Sequence, residues 1–146
     1  MSSSSVFFRL HPSLQHVLHS TLRWQELRDV QERSYEPVMG GENVLLIART
    51  AGGKSEAALI PVIDQILKSS PSPPFCVYIS PIRALITDLA ARLEIILAPL
   101  HLSCLQVHAD ACGQEPLDED LPSFILTTPE SLTVMFHGGR SSDLLA

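Results

Sequence analysis

Hydrophobic positions along the chain fall into short continuous runs and into helically spaced sets. Apolar runs predict buried strands at 44–47, 75–80 and 124–127, and alternating residues predict a further strand at 102–108. Apolar residues three or four positions apart predict one or two helices within 10–31, and further helices at 29–39, 54–68, 81–98 and 129–136. Strands that alternate with helices favour right-handed crossovers, so we expect an α/β fold with a largely parallel sheet.

Proline, glycine and threonine residues predict where these helices begin and end. Gly40 and Gly41 are placed to end the 29–39 helix, and Thr128 before Pro129 is a typical helix start. Pro37 lies inside the 29–39 helix and is expected to shorten it, and Pro61 lies inside the 54–68 helix, where a kink or a late helix start is expected. Loops are predicted at 69–74, SSPSPP, and over the proline- and acid-rich connector 109–123.

Composition narrows the class of protein further. A chain of 146 residues that is 45% hydrophobic and 5% aromatic suits one α/β domain. Its three cysteines have no C-x-x-C spacing, which argues against a zinc site or a disulfide framework and favours a reducing, cytoplasmic location. The N-terminus lacks a basic signal-peptide region, and no apolar run is long enough for a transmembrane helix. A net charge of −6 excludes a broadly basic surface but leaves room for a local phosphate-binding strip.

The segment 44–56, VLLIARTAGGKSE, combines a predicted strand, a glycine turn, Lys-Ser and a helix start. This order is the P-loop pattern, in which backbone N–H groups and a helix N-terminus surround a phosphate. Lys54 would place a cation at the outer phosphates, and Ser55 would offer a hydroxyl to Mg²⁺. The pattern G-x-x-x-x-G-K-[ST] has Ala48 at its first position here. The alternative is a plain glycine turn before an amphipathic helix with a surface lysine.

Three further stretches accompany the loop in a fixed order. LRDVQE places Gln31 17 positions before Ala48, SPIRALITDL follows the second predicted strand, and LTTPESL follows the last. Over roughly residues 10–136, these segments resemble the Q motif and motifs I, Ia and Ib of superfamily 2 helicases of the DEAD/DEAH group. In detail they look most like the large helicase-related (Lhr-like) branch. The resemblance implies a P-loop (RecA-like) three-layer αβα domain.

The resemblance also implies roles for individual residues, with ATP and Mg²⁺ as cofactors and a nucleic acid, bound through the backbone of one strand, as partner. Gln31 would read the adenine edge, and the residues expected at the nucleotide are Gln31, Thr50, Ala51, Gly52, Gly53, Lys54 and Ser55, the last also at the metal. Those expected at the nucleic acid are Arg83, Thr127, Thr128 and Glu130. The alternatives are a solvated glutamine for Gln31, a solvated first-turn arginine for Arg83 and a simple helix cap for Thr128.

Other polar groups fit the family pattern less well. His108-Ala109-Asp110 matches an H-G-D-like element except at its middle residue, and the acidic residues of 115–120 are expected in a solvated loop. Leu10, Phe8 and Trp24 are the candidates for stacking on adenine.

The chain contains no strand followed by the acidic D-E-x-[HD] motif that hydrolysis in this family uses. We therefore expect a partial helicase ATP-binding domain at 10–146 behind a disordered stretch at 1–9, without ATP turnover of its own. The strands 44–47 and 75–80 would then lack neighbours. The other readings are a non-catalytic regulatory or interaction fragment completed by a partner chain, such as a complementing helicase polypeptide, and a small nucleotide kinase.

Overall fold

The computed structural model describes residues 5–107 and 121–137. The chain divides into two compact units, residues 1–71 and 72–146. In the described part of the chain, no helix is both long and apolar enough to span a membrane.

The first unit is helical. It contains a 3-10 helix, Val6–Arg9, followed by α1 (Pro12–Ser20), α2 (Asp29–Met39) and α3 (Lys54–Ser69). The predicted bounds of α2 are confirmed, and Gly41, with φ of 72°, adopts the left-handed conformation that follows a helix end. The core of the unit is formed by fully buried aliphatic side chains of α1 and α3, among them Leu14, Leu18, Ile60 and Ile63.

Neither proline ends its helix, since α2 runs through Pro37 to Met39 and α3 runs from Lys54 through Pro61. The expected shortening of α2 and late start of α3 are therefore wrong. A proline at position 61 removes the N–H group that would bond to the carbonyl of Ala57. The buried hydroxyl of Ser34 on α2 takes its place by donating to that carbonyl at 2.7 Å. This bond satisfies a buried acceptor and ties α2 to α3.

A buried carboxylate joins three segments of the first unit. Asp64 of α3 is fully buried and accepts hydrogen bonds from the backbone N–H of His11 and, at 2.6 Å, from the hydroxyl of Tyr35 on α2. Lys68 pairs with the same carboxylate at 2.7 Å. Burial and the bond to Asp64 raise the pKa of Tyr35. Burial lowers the pKa of Lys68, but its bonds to Asp64 and Tyr35 outweigh this, so that pKa is raised.

Two predictions for the first unit are wrong. The disorder expected at 1–9 does not extend over residues 5–9, because Val6 and Phe7 are buried and Glu32 accepts hydrogen bonds from Ser5 and Val6. The strand expected at 44–47 is not formed, and Leu45 and Ile47 are each 84% exposed. Apolar composition alone does not make a strand, which needs a neighbouring backbone for its hydrogen bonds.

The second unit contains a parallel sheet. Its elements are β1 (Cys76–Ile79), α4 (Arg83–Leu97), a 3-10 helix (Ala98–Leu100), β2 (Cys104–Val107), β3 (Phe124–Thr127) and α5 (Pro129–His137). The strand order is β1–β3–β2, and both outer strands run parallel to β3. All four residues of β3 are buried, as its continuous apolar run predicts for a central parallel strand. The α/β fold class is confirmed.

Candidate nucleotide and nucleic-acid sites

The loop before α3 has the backbone geometry that close approach to a ligand requires. Gly53 lies at φ of 84°, the left-handed region that favours glycine. A Cβ on Gly52 would lie 2.7 Å from the carbonyl oxygen of Arg49. Gly53 is therefore needed for its backbone conformation, and Gly52 is needed because a Cβ there would collide with the Arg49 carbonyl.

The Lys54 ammonium at the end of the loop contacts backbone carbonyls of the same loop. The Lys54 ammonium donates to the carbonyls of Ala48 and Arg49, both at 2.9 Å, and the N–H of Gly52 donates to Arg49 at 2.9 Å. The first intrahelical bond of α3 runs from Ala57 to Gly53, so the N–H groups of the first turn have no acceptor within the helix. These donors, together with the ammonium, fit an anionic phosphate that replaces the Arg49 carbonyl.

Thr50 and Ala51 form the exposed outer part of the loop, and Ser55 is half-buried as the second residue of α3. The structure thus brings the loop residues 50–55 together at one helix N-terminus. Within the described residues, no group of three or more His, Cys, Asp or Glu side chains could hold a metal ion.

The N-terminal turn of α2 lies against this loop. Gln31 is 2% exposed, and its Nε2 lies 2.7 Å from the position a Cβ on Gly53 would take. Its Oε1 accepts from the backbone N–H of Arg28 at 2.9 Å, which satisfies one of the free donors at the start of α2. Gln31 is thus neither solvated nor distant from the loop, so the solvated-glutamine alternative is wrong.

Arg28 is a loop contact that the sequence reasoning missed. Its Nη1 donates to the carbonyl of Ala51 at 2.7 Å. Arg28 stands three positions before Gln31, at the N-cap of α2, and this position was the only signal that could have pointed to it. Of the candidates for stacking, Leu10 is in the core at 2% exposed, whereas Phe8 is 70% exposed.

In the second unit, the segments after β1 and β3 meet at the carboxyl edge of the sheet. Ile79 is paired with Thr127, and the N–H of Ser80 donates to the Thr127 carbonyl at 3.0 Å. Both following helices begin at this edge, with exposed Arg83 as the first residue of α4 and exposed Glu130 as the second of α5. Two positive helix ends and one guanidinium therefore stand at one edge, which suits phosphate groups.

The two threonines at this edge use their hydroxyls internally. Thr127 is fully buried, and its Oγ1 donates to the Val107 carbonyl at 3.1 Å. The Oγ1 of Thr128 accepts from the N–H of Ser131 at 3.2 Å, the bond of a helix N-cap. The cap reading of Thr128 is therefore correct, and its buried hydroxyl does not face solvent. The H-G-D-like element 108–110 and the acidic residues 115–120 lie outside the described residues.

A glycine turn followed by Lys54 and Ser55 at the N-terminus of a helix matches the loop and helix start of the P-loop pattern. The family model for DEAD/DEAH box helicases matches residues 28–145. The chain belongs to the DEAD/DEAH box helicase family.

Individual relatives agree with this assignment. The chain is 28% identical to the ATP-dependent RNA helicase dbp9 of Schizosaccharomyces pombe, over 94% of its own length and 25% of the relative's. It is 24% identical to the ATP-dependent helicase Lhr-Core of Methanocaldococcus jannaschii, over 80% of its length and 16% of that protein's. The structure of DEAD-box helicase Mss116 bound to ssRNA and UDP-BeF superposes on 92% of the chain, and the chain on 29% of Mss116, with a TM-score of 0.76 at 18% identity. The chain thus spans a quarter or less of the length of these two curated relatives, and its fold is that of RecA-like helicase domains.

Proposed function

We propose that this chain is the ATP-binding and nucleic-acid-binding part of an ATP-dependent DNA or RNA helicase. The observation that carries the proposal is the loop 48–55, with its glycines, the Lys54 ammonium and the first turn of α3, beside which Gln31 is buried. The Lhr-like branch remains our preferred placement within the family, on the motif detail and the similarity to Lhr-Core. A cytoplasmic location is proposed with it.

The proposed binding mode assigns one task to each group. Lys54 and the first-turn N–H groups of α3 hold the outer phosphates, after the ammonium leaves the carbonyls of Ala48 and Arg49. Ser55 is the residue that would hold Mg²⁺, whose chemistry is to neutralise charge on the phosphates. Gln31, buried beside Gly53, presents its amide to adenine, whose amino group and ring nitrogen need one acceptor and one donor.

Lys54→Ala tests nucleotide binding. Loss of a charge-assisted bond to phosphate removes about 1.5–3 kcal/mol, so ATP affinity measured by isothermal titration calorimetry should fall about 10- to 100-fold. Arg33→Ala is the matched control, because it removes a cation from the exposed side of α2, where the side chain is 78% exposed. Equal ATP affinity in wild type and Lys54→Ala would end the proposal.

For the nucleic acid we propose contacts to the sugar-phosphate backbone of a single strand at the carboxyl edge of the sheet. Arg83, Glu130 and the N–H groups at the starts of α4 and α5 would make these contacts, while Thr127 and Thr128 hold the edge in shape. The charge of Glu130 would limit the affinity of this edge for phosphate groups.

Arg83→Ala should weaken binding of single-stranded oligonucleotides uniformly across sequences and lower the salt slope of the affinity by about one. Arg92→Ala, farther along α4 and paired with Asp88 at 3.1 Å, is the control. Fluorescence anisotropy with matched DNA and RNA strands also decides between the two nucleic acids. An unchanged salt slope in Arg83→Ala would remove this residue from the interface.

A complementing helicase polypeptide is the second partner that we propose. It is supported by the segment 44–47, where Leu45 and Ile47 expose apolar side chains to solvent. A Leu45→Lys variant should abolish co-purification with such a polypeptide while Lys54-dependent ATP binding survives. Unchanged co-purification would place the partner elsewhere.

A further inference from the structure

Ala51 occupies a backbone conformation that alanine rarely adopts. Its φ is 59°, in the left-handed region, where the Cβ of an L-residue approaches a carbonyl oxygen. Gly53 is also left-handed but has no Cβ and carries no such cost. Alanine at this position therefore makes the loop conformation less favourable than glycine would, and a contact from outside the loop can offset that cost.

Arg28 supplies a contact at this residue. Its guanidinium donates to the Ala51 carbonyl at 2.7 Å, and its Cδ lies 3.3 Å from the position a Cβ on Gly53 would take. The backbone of Arg28 is itself fixed, because its N–H donates to the Gln31 amide at 2.9 Å. The guanidinium thus connects the start of α2 to the strained residue of the loop.

We propose that Arg28 is a positioning residue for nucleotide binding, which holds Ala51 in its left-handed conformation and so keeps the loop ready for phosphate. The inference rests on the proposed function and adds a residue outside the P-loop pattern. Arg28 acts through the loop backbone at Ala51, and the residues that meet the phosphates remain Lys54 and the first turn of α3. The need for Arg28 follows from the alanine, so a glycine at position 51 should relieve it.

A double-mutant cycle on the full chain tests this dependence. Arg28→Met should weaken ATP binding about 5- to 30-fold, the change that corresponds to the usual cost of a left-handed alanine. In an Ala51→Gly background the same substitution should weaken ATP binding less than about threefold, because glycine adopts this conformation without that cost. Arg33→Met on the same helix removes an equal charge and should leave the affinity unchanged.

Amide hydrogen exchange without nucleotide provides the second readout. The Gly52 N–H, which donates to Arg49 at 2.9 Å, should exchange faster in Arg28→Met than in wild type or Arg33→Met. Equal losses of ATP affinity in both backgrounds would overturn the proposal, and so would unchanged exchange at Gly52. If wild type binds no ATP but Arg28→Met still accelerates this exchange, the proposed function fails while the role of Arg28 in the loop stands.

Discussion

The substitution Ser34→Ala tests how α3 accommodates a proline in its interior. The Ser34 hydroxyl donates at 2.7 Å to the Ala57 carbonyl, the acceptor that Pro61 leaves without its helical donor. Ser34 is 2% exposed and Ala57 is fully buried, so water does not replace the lost hydroxyl. An unsatisfied buried carbonyl costs about 1–3 kcal/mol, and we expect Ser34→Ala to lower the free energy of unfolding by about 2 kcal/mol.

The same reasoning predicts that the loss depends on Pro61. In a Pro61→Ala background the helix regains an N–H for the Ala57 carbonyl, and Ser34→Ala should then cost no more than about 0.5 kcal/mol. Ser69→Ala is the control, since Ser69 also donates to a helix carbonyl at 2.7 Å but in an exposed position. It should change the free energy of unfolding by less than about 0.5 kcal/mol.

Urea unfolding followed by tryptophan fluorescence measures these differences in the relevant unit, because the single tryptophan, Trp24, lies in it. A loss for Ser34→Ala that is equal with and without Pro61 would refute the argument. It would mean that the serine contributes through packing and not by replacing the missing donor.

Two further predictions concern the buried charge of Asp64 and the half-buried thiol of Cys76. Asp64→Asn should lower the free energy of unfolding by about 1.5–3 kcal/mol, because it replaces the buried charged acceptor of His11, Tyr35 and Lys68 with a neutral amide. Asp29→Asn, in an exposed pair of the same spacing with Arg33, should cost about 0.5 kcal/mol. Comparable losses in the two variants would contradict the reasoning. Burial raises the pKa of Cys76 to about 11 from 9.0. Its alkylation at pH 8 should therefore be about 100-fold slower than that of a free thiol, as followed by peptide mass spectrometry. The neutral thiol favours the folded state, so this contribution is full below pH 9 and is lost as the pH rises towards 11; rapid labelling of Cys76 in the native protein would show that the thiol is accessible.

Local patterns predicted the helices well. The bounds of α2 at Asp29–Met39 and of β3 at Phe124–Thr127 agree with the structure, because caps, glycines and a continuous apolar run are local signals. The strand expected at 44–47 could not be tested by local patterns, since a strand forms only beside a neighbouring strand, and that neighbour can come from anywhere in the chain. The N-terminal residues were misjudged for a similar reason, as their order depends on Glu32 and on burial of Phe7.

In the candidate site, too, local sequence signals identified some residues and missed others. Lys54, Gly52 and Gly53 could be identified because their residue types carry the chemistry. Arg28 could not, because its partner is a backbone carbonyl, and any residue at position 51 would offer one. The internal use of the Thr127 and Thr128 hydroxyls was equally hidden, since a threonine that caps a helix and one that contacts phosphate look identical in sequence.

The carboxylate of Asp64 also shows that the segment matched by the family model is shorter than the segment that folds as one unit. The family match starts at residue 28, yet the backbone N–H of His11 donates to this buried group, and Leu14 and Leu18 are fully buried in the first unit. A protein trimmed to the matched segment would retain each helicase motif described above. Its Asp64 carboxylate, on the helix that begins with Lys54, would lose the hydrogen bond from His11. The motifs alone therefore give the wrong start for an expressed domain. A domain that starts at residue 5 retains the His11 donor and the buried side chains of α1.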